Sequence, residues 1–373
     1  MKIDLLYEME LLKPWHERSE YDCYWQAVEQ CELADRVGFD TVWAVEHHFL
    51  TEFSHCSAPE VFLTAVAMRT QRLRVGHGVV LLPYPFNHPI RVAERAAVLD
   101  ILSNGRLEFG TGRSSLYEQQ AFGIRFEESR SMWQEALEVI PRMWTEDPFP
   151  AYEGRHFSIP ERSVIPKPIQ KPHPRLWVAA TSPESWQIAG KLGIGALGLT
   201  LFLSVEEVAE QIRTYREAGR QRTPVGREIN EQVGAFTIVH CAETNAQAVE
   251  NGGVEAALWY LSYAFRVLAA RGRDAQKIGP YEEFRKAHPI VARVMEGAVT
   301  FEELDAEDMV IVGDPDKCAR KLERYRSIGL DRVLCLMQAG RIPGERVKRS
   351  IELFGKHVVP QFSRESRVES REF

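Results

Sequence analysis

FDTVWAVEHHFLTEFSHCSAPEVFLTAVAMRTQRLRVGHGVVLL (39–82) decides the fold. It opens with a β-branched and aromatic run (39–46) and continues into a longer segment with apolar residues at helical spacing (58–70). A second β-branched run closes it (73–82). Strand, helix, strand is the reading, because period-2 and period-3.6 patterns mark the two element types. The same alternation extends outward in both directions. KIDLLYE (2–8) is a strand with a helix over 19–37, where Ser19 can cap and Gly38 ends the helix. A helix over about 90–103 follows the opening stretch, then strand 106–112 and helix 127–145. Strands 175–181, 195–200, 233–241 and 331–337 come next, with helices over about 184–191, 204–219, 244–270 and 344–356. Eight strand–helix units in one series predict an α/β fold, a single (β/α)8 TIM barrel with insertions.

The barrel spans 1–360 on this reading. One insertion, at about 146–174, is rich in proline and aromatic residues, with a short hairpin expected around YEGRHFSI. The other, at about 271–313, is charged, carries few core-type residues and contains Gly272, Gly279 and Pro280 as breakers. It is expected to be a mobile lid over the mouth of the barrel. Asp314-Pro315 should start a helix after it, since Asp caps well and Pro suits the first helical position. The tail 361–373 alternates charges without an apolar face and is expected to be disordered. No second hydrophobic core is anticipated.

Composition excludes several function classes. The 373 residues carry 46 Lys+Arg against 53 Asp+Glu, a net charge of −7, so there is no basic excess to neutralise phosphates of a nucleic acid. Charges interrupt every apolar run well before the roughly 18 residues a membrane span needs. Asp4, Glu8 and Glu10 stand where a signal peptide would require an apolar block, so a cytoplasmic protein is expected. The six cysteines are scattered without a CxxC pair, which suits reduced thiols and argues against a structural zinc.

Five local patterns can carry chemistry, and each has a plain structural reading beside it. Gly193-x-Gly195-x-x-Gly198 matches a dinucleotide fingerprint, but a helix precedes it and a strand follows, so a helix-to-strand turn is the better reading. Glu46-His47-His48 lies where the second strand ends, the position from which barrels project active-site residues. The structural alternative is one packed and one solvated histidine. A metal site using His47 with His55 competes, although neighbouring strand residues point to opposite faces. Gly110-Thr111-Gly112-Arg113-Ser114-Ser115 follows the fourth strand. There small residues allow a close backbone approach and Arg113 offers a forked cation, unless it is a simple turn with a solvated arginine. Thr181-Ser182-Pro183-Glu184-Ser185 opens a helix after the fifth strand, where hydroxyls and free N–H groups suit an anion, or Ser182 merely caps. Gly78, inside the third strand, marks a bulge or close backbone approach, or else packs against the barrel interior.

Taken together, GFDTVWAVEHHF (38–49), RVGHGVVLLP (74–83), HPIRVAERAAVLDILSNGRLEFGTGR (88–113), FGIRFEESR (122–130) and VGDPDKC (312–318) resemble the bacterial luciferase-like family of flavin-dependent monooxygenases. The resemblance implies a two-component enzyme that uses FMN in its reduced form, FMNH2, with O2. A C4a-hydroperoxyflavin would oxygenate a small organic substrate, and a separate flavin reductase would act as partner to a homodimer or heterodimer. It implies that His47 is catalytic with His48 its neighbour, and that Arg113 grips the flavin phosphate with Arg130 nearby. Ser182 and Ser185 would cap that phosphate beyond the strand end at Ala180-Thr181, and Gly78-Val79 would form a non-proline cis peptide beneath the flavin ring. Gly112 stands where the luciferase α chain has a reactive cysteine, and Thr181 where that family has an acidic residue. No metal is implied. Three other functions are open from the sequence: F420-dependent hydride transfer on the same fold, a metal-dependent hydrolase, and a non-catalytic flavin-binding subunit.

Overall fold

The computed structural model describes residues 1–270, 286 and 288–363. Twelve strands are present among them: β1 (Lys2–Tyr7), β2 (Thr41–Ala44), β3 (Arg74–His77), β4 (Val80–Leu81), β5 (Leu107–Gly112), β6 (Tyr152–Glu153), β7 (Ser158–Ile159), β8 (Arg175–Ala179), β9 (Gly195–Leu199), β10 (Val233–Cys241), β11 (Ile311–Gly313) and β12 (Arg332–Leu336). The parallel ring β1–β2–β3–β5–β8–β9–β10–β12 closes back on β1, with Lys2 opposite Arg332, which is the expected (β/α)8 barrel. Helices α1 (Ser19–Val37), α2 (Pro59–Arg69), α3 (Pro89–Leu102), α4 (Leu116–Ala121), α5 (Phe126–Thr145), α6 (Pro183–Leu192), α7 (Val205–Gly219), α8 (Asn245–Glu250) and α9 (Gly253–Ala270) precede the remaining helices 289–295, 301–306, 315–327, 344–357 and 359–363. Among the described residues no helix is long and apolar enough to cross a membrane.

The N-terminal end of the barrel is sealed. Arg332, at the start of β12, is fully buried and donates to Asp4 at 2.8 Å, with its guanidinium 5.0 Å from the Trp177 ring and 5.7 Å from the Trp43 ring. The indoles donate in turn, Trp43 to Asp4 at 2.9 Å and Trp177 to Glu108 at 2.8 Å. A buried charge is tolerable only when paired in this way. With that end plugged by two indoles and an ion pair, the C-terminal mouth is the face left for chemistry.

Several expectations need correction. Ser19 does not cap α1; its hydroxyl accepts from the His16 N–H at 2.8 Å, and Arg18 holds the cap position. The third strand is interrupted at Gly78-Val79, whose peptide bond is cis, and resumes as β4. The segment 244–270 is two helices rather than one, broken at Gly252, whose φ of 92° only glycine adopts readily. Helix α4 was not anticipated. The 271–313 segment also differs from its description as a region with little core. Residues 271–285 and 287 lie outside the described residues. In the remainder, Val291, Val294, Val299, Leu304, Met309 and Val310 are buried with Phe53, Phe202 and Tyr260 in a second apolar cluster. β11 adds to the edge of β10. The tail boundary shifts as well, because Val359–Ser363 is helical with Phe362 buried; residues 364–373 lie outside the described residues. The 152–159 hairpin and the 315–327 helix match expectation. Asp314 caps the latter by accepting from the Lys317 N–H at 2.8 Å.

Candidate active site

His47 and His48 follow β2 directly, and three carboxylates converge on them. Glu118 reaches His47 Nδ1 with Oε1 at 3.1 Å and accepts the His48 backbone N–H at 2.7 Å. Glu8, just past β1, sets its Oε2 3.8 Å from His47 Nε2 on the other side of the ring. Glu46 faces His48 Nε2 at 3.4 Å. Each carboxylate is itself fixed. Glu118 is the third residue of α4, and Ser115 caps that helix while donating to Glu118 Oε2 at 2.7 Å in a reciprocal capping box. Glu46 accepts from the Leu81 N–H at 2.7 Å and the Asn87 amide at 2.9 Å, which ties the end of β2 to β4. Glu8 accepts from the Tyr260 hydroxyl of α9 at 3.2 Å.

These contacts set the charge on His47. Burial disfavours its protonated form, but the charge and hydrogen bond of Glu118, then Glu8 and Glu46, outweigh it and raise the pKa from 6.5 to about 9. Glu118 moves the opposite way. Burial opposes its ionisation, yet His47, Ser114 and Ser115 hold it well below the usual carboxylate range. At neutral pH His47 is therefore an imidazolium clamped beside a carboxylate, not the near-neutral imidazole that an ordinary value of about 6.5 would give.

The second group lies across β5 and β8, which are neighbours in the ring. Arg113 leaves the end of β5 and donates to Ser129 Oγ at 3.1 Å, while Arg130, next to Ser129 on α5, pairs with Glu184 at 2.5 Å. Glu184 sits in the first turn of α6, where Ser182 and Ser185 form a reciprocal cap, Ser182 N–H donating to Ser185 Oγ at 2.9 Å. Arg130 thus reaches the α6 start, where Ser182 and Ser185 lie, through Glu184, while Arg113 bonds to the residue beside Arg130. Ala180 ends the strand side by donating its N–H to Leu197 O at 2.8 Å, and Thr181 is exposed beside it.

Between the two groups lies a floor of small residues. A Cβ on Gly112 would collide with Val79 Cγ2, and one on Gly110 with the His77 carbonyl; a Cβ on Gly78 would stand 3.0 Å from Trp43 Cβ. Gly112 is thus packed on the Val79 side chain and Gly110 on the His77 backbone, with no room for a Cβ at either. Helix α4 joins the halves, since the Gln119 amide donates to the carbonyl of Arg113 at 2.8 Å while Glu118 holds His47.

The other sequence candidates fall elsewhere. Gly193 is the left-handed cap of α6, with φ 64°, and Gly198 packs against Trp186, so the glycine triplet is a helix-to-strand turn. His55 faces Glu20 at 3.0 Å and the Thr51 carbonyl at 2.8 Å, away from any shared ligand position with His47. Among the described residues no three His, Cys, Asp or Glu side chains converge as a metal-ligand group. The six cysteines are free and buried. Glu8, Glu118 and Tyr260 were not singled out as site residues from sequence, and Glu46 only as part of Glu46-His47-His48, although Ser115-x-x-Glu118 is a legible capping box.

A family model described as luciferase-like monooxygenase matches residues 12–332. The oxygenase component of a flavin-dependent trigonelline monooxygenase from Acinetobacter baylyi is 29% identical, with 100% of this chain and 98% of that protein covered. The crystal structure of a monooxygenase from Streptomyces bottropensis superposes with a TM-score of 0.78 at 28% identity, covering 97% of this chain and 100% of that one. An F420-dependent secondary alcohol dehydrogenase shares the fold, with a TM-score of 0.72 at 16% identity over 96% of this chain and 98% of that one.

Proposed function

The chain belongs to the luciferase-like monooxygenase family, an oxidoreductase family, and from that premise we propose that it is the oxygenase of a two-component system using FMNH2 and O2. A flavin reductase would supply the FMNH2, and a small organic molecule would be oxygenated. The full-length relation to the oxygenase component of a flavin-dependent monooxygenase supports this reading. The observation that carries it is the clamped His47 on one side of the glycine floor with the Arg113, Arg130 and Ser182 group on the other.

These residues fit a phosphate-bearing flavin. Gly78, Val79 and Gly112, at the ends of β3 and β5, come between the two groups around the ring, where a flat ring bridging them would lie. The α6 N-terminus and two guanidiniums suit the phosphate. When bound, the reduced flavin supplies the electrons that activate O2 for insertion of one oxygen atom into substrate. Arg113 and Arg130 would hold the phosphate, Ser182 and Ser185 would orient it, and Gly78, Val79 and Gly112 would seat the ring. His47 would hold a proton at Nε2, toward Glu8, while Glu118 fixes Nδ1. His48 braces the same loop through Glu46.

The experiment is a binding comparison. Charge-assisted hydrogen bonds are worth about 1.5–3 kcal/mol, so Arg113→Ala should weaken FMN about tenfold or more. Riboflavin, which lacks the phosphate, should change far less. Equal losses for both ligands would refute the assignment.

A second copy of the chain is the proposed structural partner. Helices α2 and α3 expose Val61, Met68, Val98, Ile101 and Leu102, and the first two are spaced seven residues apart on one helical face. Apolar residues exposed on adjacent helices are expected to be covered by an interface.

A further inference from the structure

We propose that Arg95 of α3, acting through Asn87, is a positioning residue that holds His48 in place beside His47. The proposal rests on the reading of His47 and His48 as active-site residues.

Arg95 is fixed on three sides. Its Nε donates to the Arg91 carbonyl one turn back on α3 at 3.2 Å, Nη1 donates to Glu60 Oε1 of α2 at 2.5 Å, and Nη2 donates to Asn87 Oδ1 at 2.5 Å. A guanidinium has donors only, so the Asn87 atom that meets it is the amide oxygen. The amide nitrogen is thereby turned toward β4 and the end of β2. Both of its hydrogens find acceptors there, the Leu81 carbonyl at 2.9 Å and Glu46 Oε1 at 2.9 Å. Leu81 closes the set, its N–H donating to Glu46 Oε2 at 2.7 Å. Glu46 is buried, so it needs these donors. If the Asn87 amide turned over, it would set an oxygen against the Glu46 carboxylate; Arg95 opposes that turn.

The set reaches His48 from two directions. At the edge of the imidazole, Glu46 Oε1, the oxygen that Asn87 holds, faces Nε2 at 3.4 Å and favours the tautomer with its proton there. Against the flat of the imidazole lies the Phe86 ring, 5.9 Å away and 14° from parallel. Phe86 precedes Asn87 in the chain, so the clamp on Asn87 also places that ring. The His48 backbone N–H donates in turn to Glu118 Oε1, the atom that faces His47 Nδ1. Every contact from Arg95 through Asn87 and Glu46 to His48 is therefore a direct one between side chains. A displacement of about 1 Å can cost 10²-fold at a reacting site, which gives such a brace its value.

A plainer role for Arg95 is to tie α3 to α2 through Glu60. That pair is partly exposed, at 33% and 19%, and ion pairs of this kind contribute little by themselves. The bond to Asn87 separates the two roles.

The test uses the full chain without cofactor. With 15N-labelled histidine, NMR measures how fast the His48 Nε2 proton exchanges with water. His48→Gln assigns the signal, and the signal of His240, on β10 across the barrel, serves as the check that the fold is intact. Arg95→Gln should speed exchange about threefold or more, within the worth of one hydrogen bond. Asn87→Asp, which sets a carboxylate oxygen against Glu46, should speed it at least as much. Glu60→Gln keeps an acceptor for Nη1 and leaves the Asn87 bond in place, so exchange should not change. If Arg95→Gln does not fold, Arg95→Lys takes its place, because a single ammonium does not span Glu60 and Asn87 as the fork does, and exchange should again rise. Unchanged exchange in the folded Arg95 variant would overturn the proposal. So would an equal rise in Glu60→Gln, which would leave Arg95 a strut between helices. The measurement needs neither cofactor nor turnover. Its failure strikes this inference alone, whereas equal losses in the FMN and riboflavin comparison would strike the functional reading and leave the exchange result standing.

Discussion

The proton on His47 depends on side chains distant in sequence. Glu118 is 71 residues away and contributes most to the raised pKa. Glu118→Gln removes the charge but keeps the size, so the His47 titration followed by NMR should fall from about 9 toward 6.5. The sign for stability follows. A histidine whose folded value is raised contributes fully below about pH 6.5, and that contribution is lost as pH rises through about 9. Wild-type unfolding free energy should therefore decline across that window, by on the order of 2 kcal/mol once partial solvent screening is allowed for. The Glu118→Gln protein should show a flatter profile; parallel profiles would contradict the ion pair. At the floor, Gly112→Ala places a methyl group against Val79 and should cost about 1–3 kcal/mol by overpacking, read as a lower denaturation midpoint with weakened flavin binding. His47 was legible in the sequence because it ends a strand of a recognisable barrel. Glu118 was not, because nothing local to residues 46–48 records which distant helix will reach them.

At the scale of elements, the N-terminus of α6 is where cofactor affinity can be tuned. Glu184, on its exposed first turn, occupies Arg130. A bound phosphate would compete with that carboxylate for the guanidinium and would be repelled by its charge. Glu184→Gln should accordingly tighten FMN binding several-fold and leave riboflavin unchanged, measured by fluorescence titration. Ser182→Ala should act in the opposite direction, losing about 1 kcal/mol of cap stability along with FMN affinity. Strand and helix order was readable because each element repeats its period over many residues. Boundaries shifted where the cause was tertiary: β3 stops at the Gly78-Val79 bond, and the helix beyond β10 breaks at Gly252. The short α4 escaped notice because six residues show too little periodicity, although its cap residues were present in the sequence.

The closed ring brings residues 8, 47, 78, 112 and 182 from five separate strand ends to one mouth, and the Arg332–Asp4 plug closes the other end. That convergence was predictable once eight units had been counted. The second apolar cluster under residues 288–310 was not, because its members are spread across β-strand ends, α9 and short helices of mixed composition. The proposed face between copies can be tested on the whole molecule: Met68→Glu with Ile101→Glu should lower the sedimenting mass to that of one chain while flavin binding persists. The account as a whole rests on the identity of the cofactor. Anaerobic calorimetric titration of the cofactor-free protein with FMNH2 and with reduced F420 tests it most directly. The account predicts one FMNH2 bound per chain, undisturbed by excess reduced F420; tight binding of reduced F420 that FMNH2 cannot displace would contradict it.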